Sequence, residues 1–307
     1  MDTLEPKGAY TELPLLLATR QAAKGLSLFH RRQPRSALAG GHASRLRGRG
    51  MEFAEVRPYQ PGDDVRSIDW RVTARTQKPH TKLFVEERQR PVFFMIDQRA
   101  AMFFGSRRCF KSVYAAQLGA LLSWSVSASG DKVGGLIAHA SGVQDDRAQG
   151  SQHAALALIH RLHQCNHQLH SPTASDQESS LASWLSDARR AAKPGATLVL
   201  ISDFHDWDAD CEKSLALIQR HNDTLVFQIH DPLERHWPGD GELSVSAGGE
   251  AIALNPALAK TFNRHWLARQ QAVEACCARL GIRYYLLDTA TPLAPFVQQH
   301  FGSRTHR

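Results

Sequence analysis

The sequence predicts an α/β fold, an open and mostly parallel sheet in three layers, with an N-terminal helical arm and a β-rich insertion before the first core strand. Two observations carry this. From Pro91 onward, short apolar runs take turns with longer amphipathic ones, the pattern of strands alternating with helices. The short runs, such as "VFFMI" and "TLVLIS", show almost no polar alternation, which implies burial on both faces between helix layers. The length, 307 residues, suits one large domain with an appendage or two modest domains. With 42% hydrophobic and 22% charged residues, the chain has the composition of a globular protein rather than a disordered one.

In chain order, residues 11–29 read as a short amphipathic helix. The piece that follows, to Gly50, holds Arg31, Arg32, Arg35, Arg45, Arg47 and Arg49 with no acid from His30 onward. Much of the +7 formal charge therefore sits in one basic arm. In residues 51–90, Pro61-Gly62 reads as a type II turn, since proline fixes φ and glycine supplies φ > 0. Trp70, Val72 and Ala74 alternate with Asp69, Arg71, Thr73 and Arg75, and Thr81, Leu83 and Val85 with Lys82 and Glu86. Period two on both sides of "TQKPH" predicts a strand pair with one charged face. The division by sequence character is thus 1–50, 51–90 and 91–307.

Beyond residue 90, strands are expected at 92–97, 132–139, 197–203, 224–230 and 283–287, and helices at 110–128, 152–170, 178–192, 210–221 and 256–280. A hairpin at 241–254 interrupts the last crossover. Five cysteines, an odd number with no C-x-x-C, read as reduced core thiols. No apolar run approaches the ~20 residues of a membrane span, and "MDTLEPKG" lacks the apolar centre of a signal peptide. The expected location is the cytoplasm.

Ligands of an open parallel sheet gather beyond the carboxyl ends of its strands. Those ends offer Asp97, His139, Asp203 and His230-Asp231. The pair of strands "FFMIDQRAAM" and "TLVLISDFHD", each ending in an aspartate, resembles the von Willebrand factor A fold. The preceding "GRGMEFAEVRPYQPGDDVRSIDWRVTARTQKPHTKLFVEERQ" resembles the signature of the bacterial "domain of unknown function 58" family, most specifically in GDD-x-R-x-I-D-W at Gly62–Trp70. The resemblance runs from about Gly40 to Asp206.

It implies a vWA-like domain encoded beside, and working with, a MoxR-type AAA+ ATPase. In vWA domains, D-x-S-x-S, a loop threonine and a second aspartate ligate a divalent ion. Here Asp97 and Asp203 match the two acids, Thr173 or Ser175 is the candidate loop hydroxyl, and Arg99 and Ala101 stand where the serines belong. A hard cation wants oxygen ligands and is repelled by a guanidinium, so no divalent metal and no cofactor is expected. Arg99 is expected to take the ion's place, paired with Asp97 or Asp203, in a binding rim of Asp97, Arg99, Ala101, Thr173, Ser175 and Asp203.

Asp63, Asp64, Arg66, Asp69, Trp70 and Arg71 mark a second surface. Their mixed signs suit an ion-pair network on a wet face better than acid/base chemistry, and a docking role is the functional expectation. "SDFHDWDADCE" places Asp206, Asp208 and Asp210 at a helix start, where the dipole favours acids. His153, His160, His163, His167 and His170 fall opposite Leu158, Leu162, Cys165 and Leu169 and read as a solvated stripe. No G-x-x-x-x-G-K-[ST] occurs, so any ATP use belongs to a partner. The expected function is a non-enzymatic protein–protein interaction module, an adaptor acting with the ATPase on an unknown client. The alternatives are nucleic-acid binding by the arginine arm, which lacks aromatics for stacking, and a metal-dependent hydrolase using Asp97 and Asp203.

Overall fold

The computed structural model describes residues 5–28, 51–86, 89–139, 142–149, 152–169, 179–237, 244–245, 252–253 and 256–302. The arginine arm, Thr173, Ser175 and His170 lie outside them. By packing, the chain divides into two units, residues 1–31 with 90–307, and residues 32–89. The N-terminal helix α1 (Leu13–Ala22) thus belongs to the α/β unit, with Leu16 in its core.

In the smaller unit, β1 (Met51–Pro58) pairs antiparallel with β2 (His80–Glu86). The Pro61-Gly62 turn closes with Asp63 N donating to Gln60 O at 3.0 Å, and Gly62 takes a φ of +107°. A 3-10 turn (Val65–Ser67) follows, and then α2 (Trp70–Thr76). This helix corrects the strand expected at 69–75. Asp69 Oδ1 accepts from Arg71 N at 3.0 Å and Val72 N at 3.2 Å, an N-cap that satisfies amides a strand would have spent on a neighbour. The partner of β2 is β1 instead. Over seven residues an alternating pattern also fits a helix whose inner side is Val72 and Thr73, and the cap decides.

The larger unit holds β3 (Pro91–Gln98), β4 (Lys132–His139), β5 (Gly142–Gln149), β6 (Thr197–Ser202), β7 (Asp223–His230) and β10 (Arg283–Asp288). Their order is β10-β7-β6-β3-β4-β5, with β5 the antiparallel edge. Two-residue strands β8 (Ser244–Val245) and β9 (Ile252–Ala253) form a hairpin at the expected place. Edge strand β5, "GVQDDRAQ", was not read from sequence, because an edge strand has no need of an apolar run.

Alternation along the strands sends Val92, Phe94 and Ile96 into one core and Phe93 and Met95 into the other. The first core is closed by α1, α3 (Lys111–Ala128), α4 (Gln152–His167) and α9 (Leu293–Phe301). The second is closed by α5 (Leu181–Ala191), α6 (Ala209–Gln219) and α8 (Pro256–Leu280). This is the three-layer, mostly parallel arrangement predicted. Helix α3 is buried on every side from Lys111 to Val126, since the sheet lies beneath it and α1 and α4 flank it. The short α7 (Pro232–Arg235) follows β7.

All five cysteines are buried and none is in a disulfide, and burial pushes the thiols of Cys109, Cys211 and Cys277 up to about 12. Among the described residues, no helix is long and apolar enough to cross a membrane.

The histidine stripe is not wholly solvated. His163 Nδ1 lies 2.9 Å from Thr11 Oγ1, His167 Nε2 lies 2.7 Å from Thr11 O, and Asn166 Oδ1 accepts from Thr11 N at 2.7 Å. Part of the stripe therefore ties the N-terminal segment to α4, while His153 and His160 are exposed.

Candidate functional site

The sheet begins in its middle at β3, winds outward through β4 and β5, and returns to the other side of β3 with β6. The carboxyl ends of β3 and β6 lie at this reversal, the place where open sheets bind ligands. Asp97 near the end of β3 and Ser202-Asp203 at the end of β6 meet there.

Arg99 lies between two carboxylates. Its Nε and Nη2 donate to Asp97 Oδ1 and Oδ2 at 3.1 and 2.8 Å. Nη1 and Nη2 donate to Asp206 Oδ2 and Oδ1 at 2.8 and 3.1 Å. Nη1 also donates to Ser179 O at 3.1 Å. A guanidinium has five N–H groups, and all five are used. Asp97 is equally occupied, since Oδ1 also accepts from Arg99 N at 2.9 Å and Oδ2 from Ser202 Oγ at 2.6 Å. The Arg99 side chain is 1% exposed and that of Asp97 is 0%. Burial alone would discharge Arg99, but the charges and hydrogen bonds of Asp97 and Asp206 outweigh it and raise its pKa.

Asp203 does not face Arg99. Its Oδ2 accepts from Lys111 Nζ at 2.7 Å, and Lys111 Nζ also donates to Glu234 Oε1 at 2.6 Å. Glu234 closes a capping box with Asp231, which in turn accepts from Ser106 and from Thr289 Oγ1. Burial works against the charge of Asp203, yet the Lys111 ammonium holds its carboxyl well below the usual carboxylate range. Burial likewise opposes the Lys111 charge, and Asp203 and Glu234 more than offset it. Lys111 opens α3, so the one cation of an otherwise neutral helix is spent on strand-end acids.

The chain turns sharply after β6. Phe204 takes a φ of +54°, its N–H donates to Ser202 Oγ at 3.0 Å, and both His205 N and His205 Nδ1 lie 3.1 Å from Asp203 Oδ1. This turn carries Asp206 back to Arg99, where its Oδ2 also accepts from Leu181 N at the start of α5. Asp208 is the acid that caps α6, through Cys211 N at 2.8 Å. Of the three acids expected at that helix start, Asp206 thus has a different task.

His205, 34% exposed, and Asp206, 27% exposed, form the open rim. Burial would lower the His205 pKa, but its bond to Asp203 and the charges of Asp203 and Asp206 raise it. That of His163 is lowered, first by burial and then by the charges of His167 and His160. The signs are opposite. Stabilisation from His205 is present below the unfolded value of about 6.5 and lost as pH rises through the folded one. The cost of protonating His163 sets in as pH falls below about 6.5. An NMR titration of the ring protons is expected to place the His205 midpoint above 6.5 and that of His163 below it.

Of the expected rim, the structure joins Asp97 to Arg99 and gives Asp203 to Lys111. Ala101, in the 3-10 turn Ala100–Met102, supplies no oxygen ligand. Among the described residues, no three His, Cys, Asp or Glu side chains are grouped to hold a metal. Both oxygens of Asp97, the first acid of the vWA-type pattern, are engaged by Arg99 and Ser202. Ser202, His205 and Asp203 do not form a triad, since Ser202 Oγ donates to Asp97 and not to the imidazole.

The loop between β3 and α3 fixes Lys111 through Lys111 N donating to Phe104 O at 2.8 Å. A Cβ on Gly105 would lie 2.3 Å from the Cys109 carbonyl oxygen and 2.8 Å from Phe110 Cα. Gly105→Ala is expected to cost about 1–3 kcal/mol, read as a fall in the urea midpoint.

In the smaller unit, the three acids of the expected docking surface turn out to be structural. Asp63 accepts from Arg57 Nη2 at 2.7 Å and Gln60 N at 2.9 Å, Asp64 accepts from Arg66 N at 2.9 Å, and Asp69 caps α2. Arg66, Trp70 and Arg71 remain exposed.

Among solved structures, the crystal structure of conserved hypothetical protein BatB from Bacteroides thetaiotaomicron is 14% identical, with a TM-score of 0.43 over 68% of this chain and 95% of that one. The SpRpn10 VWA domain is 11% identical, with a TM-score of 0.39 over 72% of this chain and 100% of that one. Uncharacterized protein Rv1480 of Mycobacterium tuberculosis is 28% identical over 250 residues, 79% of this chain and 76% of its own. Uncharacterized protein Mb1516 of Mycobacterium bovis matches to the same extent. A family model described as "Protein of unknown function DUF58" matches residues 55–273, and the chain belongs to that family.

Proposed function

We propose that the strand-end site is a degenerate metal-ion-dependent adhesion site, in which the Arg99 guanidinium does the structural work of the ion, and that the protein is a non-enzymatic interaction module. The observation that carries this reading is the saturation of Arg99, five N–H groups on Asp97, Asp206 and Ser179 O, with Arg99 and Asp97 themselves buried. Such a site is rigid before any partner arrives. Among the described residues, each of its buried carboxylates is already hydrogen-bonded, and binding costs it little ordering.

Asp97, Asp203, Asp206, Asp231 and Glu234 are five carboxylates around the two buried cations Arg99 and Lys111. Of the carboxylates, Asp206 is the one at the exposed edge beside His205, and a partner's basic side chain suits it. The partner we propose is a MoxR-type AAA+ ATPase, with the chain as its adaptor toward a protein client. The resemblance carried by GDD-x-R-x-I-D-W at Gly62–Trp70 is what implies that partner.

The test mixes the purified chain with the MoxR-type ATPase of the same genome, with and without ATP, and measures binding by calorimetry. Binding that falls at least about tenfold with Asp206→Ala, while the thermal transition stays cooperative, is the expected result. Equal binding by the variant, or no binding under either condition, refutes the assignment. Turnover of a phosphoester or peptide substrate that Asp203→Ala abolishes would favour the hydrolase instead.

A further inference from the structure

The described residues of the smaller unit leave part of its surface uncovered. Trp70 is 68% exposed and Val65 is 59% exposed. On α2, Trp70 and Ala74 stand one turn apart, as do Arg71 and Arg75, so these four share the outward side while Val72 and Thr73 lie half-buried. Arg66, just before the helix, and Lys78, just after it, are also exposed. None of Arg66, Arg71, Arg75 and Lys78 has a side-chain ion pair among the described residues. The nearby acids are committed elsewhere. Asp63 is bound to Arg57, and Asp69 caps α2 and sits 3.5 Å from Lys82 Nζ. Asp64 is exposed, with Oδ1 on Arg66 N.

Helix propensity does not explain a tryptophan in water at the first residue of a seven-residue helix. A tryptophan that docks buries on the order of 150–250 Å². Trp and Arg are the side chains most enriched among residues that dominate binding energy. From this charge and shape, and independently of the reading of the strand-end site, we infer that the outer face of α2 docks an acidic segment of a partner protein that carries an apolar side chain. The apolar group covers Trp70, and the carboxylates meet Arg71 and Arg75.

A single-stranded nucleic acid would want successive aromatic platforms, and the other exposed large apolar side chain described in this unit, Val65, has no π-face to offer. An anionic membrane would want a continuous apolar face sunk into the headgroups, and α2 offers a lone tryptophan among cations.

A random-peptide display library panned on the full-length chain, with counter-selection on Trp70→Ala, tests this. In parallel, fluorescence anisotropy follows an oligo-dT strand, and sedimentation follows phosphatidylserine vesicles. The expected result is enrichment of acidic peptides containing aromatic or aliphatic residues. Their affinity should fall about tenfold or more with Trp70→Ala, and similarly with Arg71→Glu/Arg75→Glu. It should weaken as salt is raised. Both variants change exposed side chains, and an unaltered thermal transition confirms that they fold. Enrichment of neutral or basic peptides, peptide binding indifferent to these substitutions, or no enrichment would overturn the inference. So would Trp70-dependent capture of the oligonucleotide or the vesicles in preference to the peptides.

Discussion

Arg99→Ala is expected to lower the unfolding free energy by about 3–5 kcal/mol, measured from urea unfolding at neutral pH. It leaves Asp97 buried beside Ser202 with no cation, and removing one partner of a buried pair strands the other. Arg99→Lys should recover only part of the loss. An ammonium carries three donors on a flexible stem and cannot present a planar fork to two carboxylates at once. The double variant Arg99→Met/Asp97→Asn should be less damaged than the two single changes added together, because the uncompensated charge is gone. A strictly additive cycle would mean that the pair contributes nothing specific.

Lys111→Met is expected to cost a similar amount, about 3–5 kcal/mol at neutral pH, with a distinctive pH dependence. In the wild type, Lys111 depresses the folded pKa of Asp203. The stability linked to Asp203 is therefore present above the unfolded value of about 3.9 and lost as pH falls through the folded one. Without the ammonium, the largest influence lowering the Asp203 pKa is gone, His205 alone is left to oppose burial, and the pKa rises. The variant then gains a proton on folding, and its deficit against wild type should shrink as pH is lowered from 7 toward about 4. Paired urea melts across that range give the comparison. A deficit constant with pH would show that Lys111 acts through packing alone.

The sheet was legible because parallel strands buried on both faces leave continuous apolar runs, and Asp97 and Asp203 at their ends were found by that route. The pairing was only half legible. Arg99 two residues after Asp97 announces a local fork, but its second carboxylate depends on the left-handed Phe204 turning Asp206 back, and no periodicity encodes that turn. Lys111 left a faint signal as a lone cation heading a helix of small and apolar residues, while its partners Asp203 and Glu234 are remote in sequence. The alternation from Asp69 to Arg75 hides helix α2, because Asp69 occupies one of its polar places and yet acts as a cap. Once it is a cap, Arg71 and Arg75 fall together beside Trp70. The C-terminal helix α9 has only Leu293, Val297 and Phe301 at helical spacing to announce it, too short a run to stand out.

Calorimetric titration of Mn²⁺ into the wild-type chain and into Arg99→Ser/Ala101→Ser measures whether a guanidinium has replaced an ion. The wild type should show no saturable heat up to millimolar metal, and the double variant should gain binding that Asp97→Asn removes. Micromolar, saturable Mn²⁺ binding by the wild type, lost with Asp97→Asn, would contradict the account.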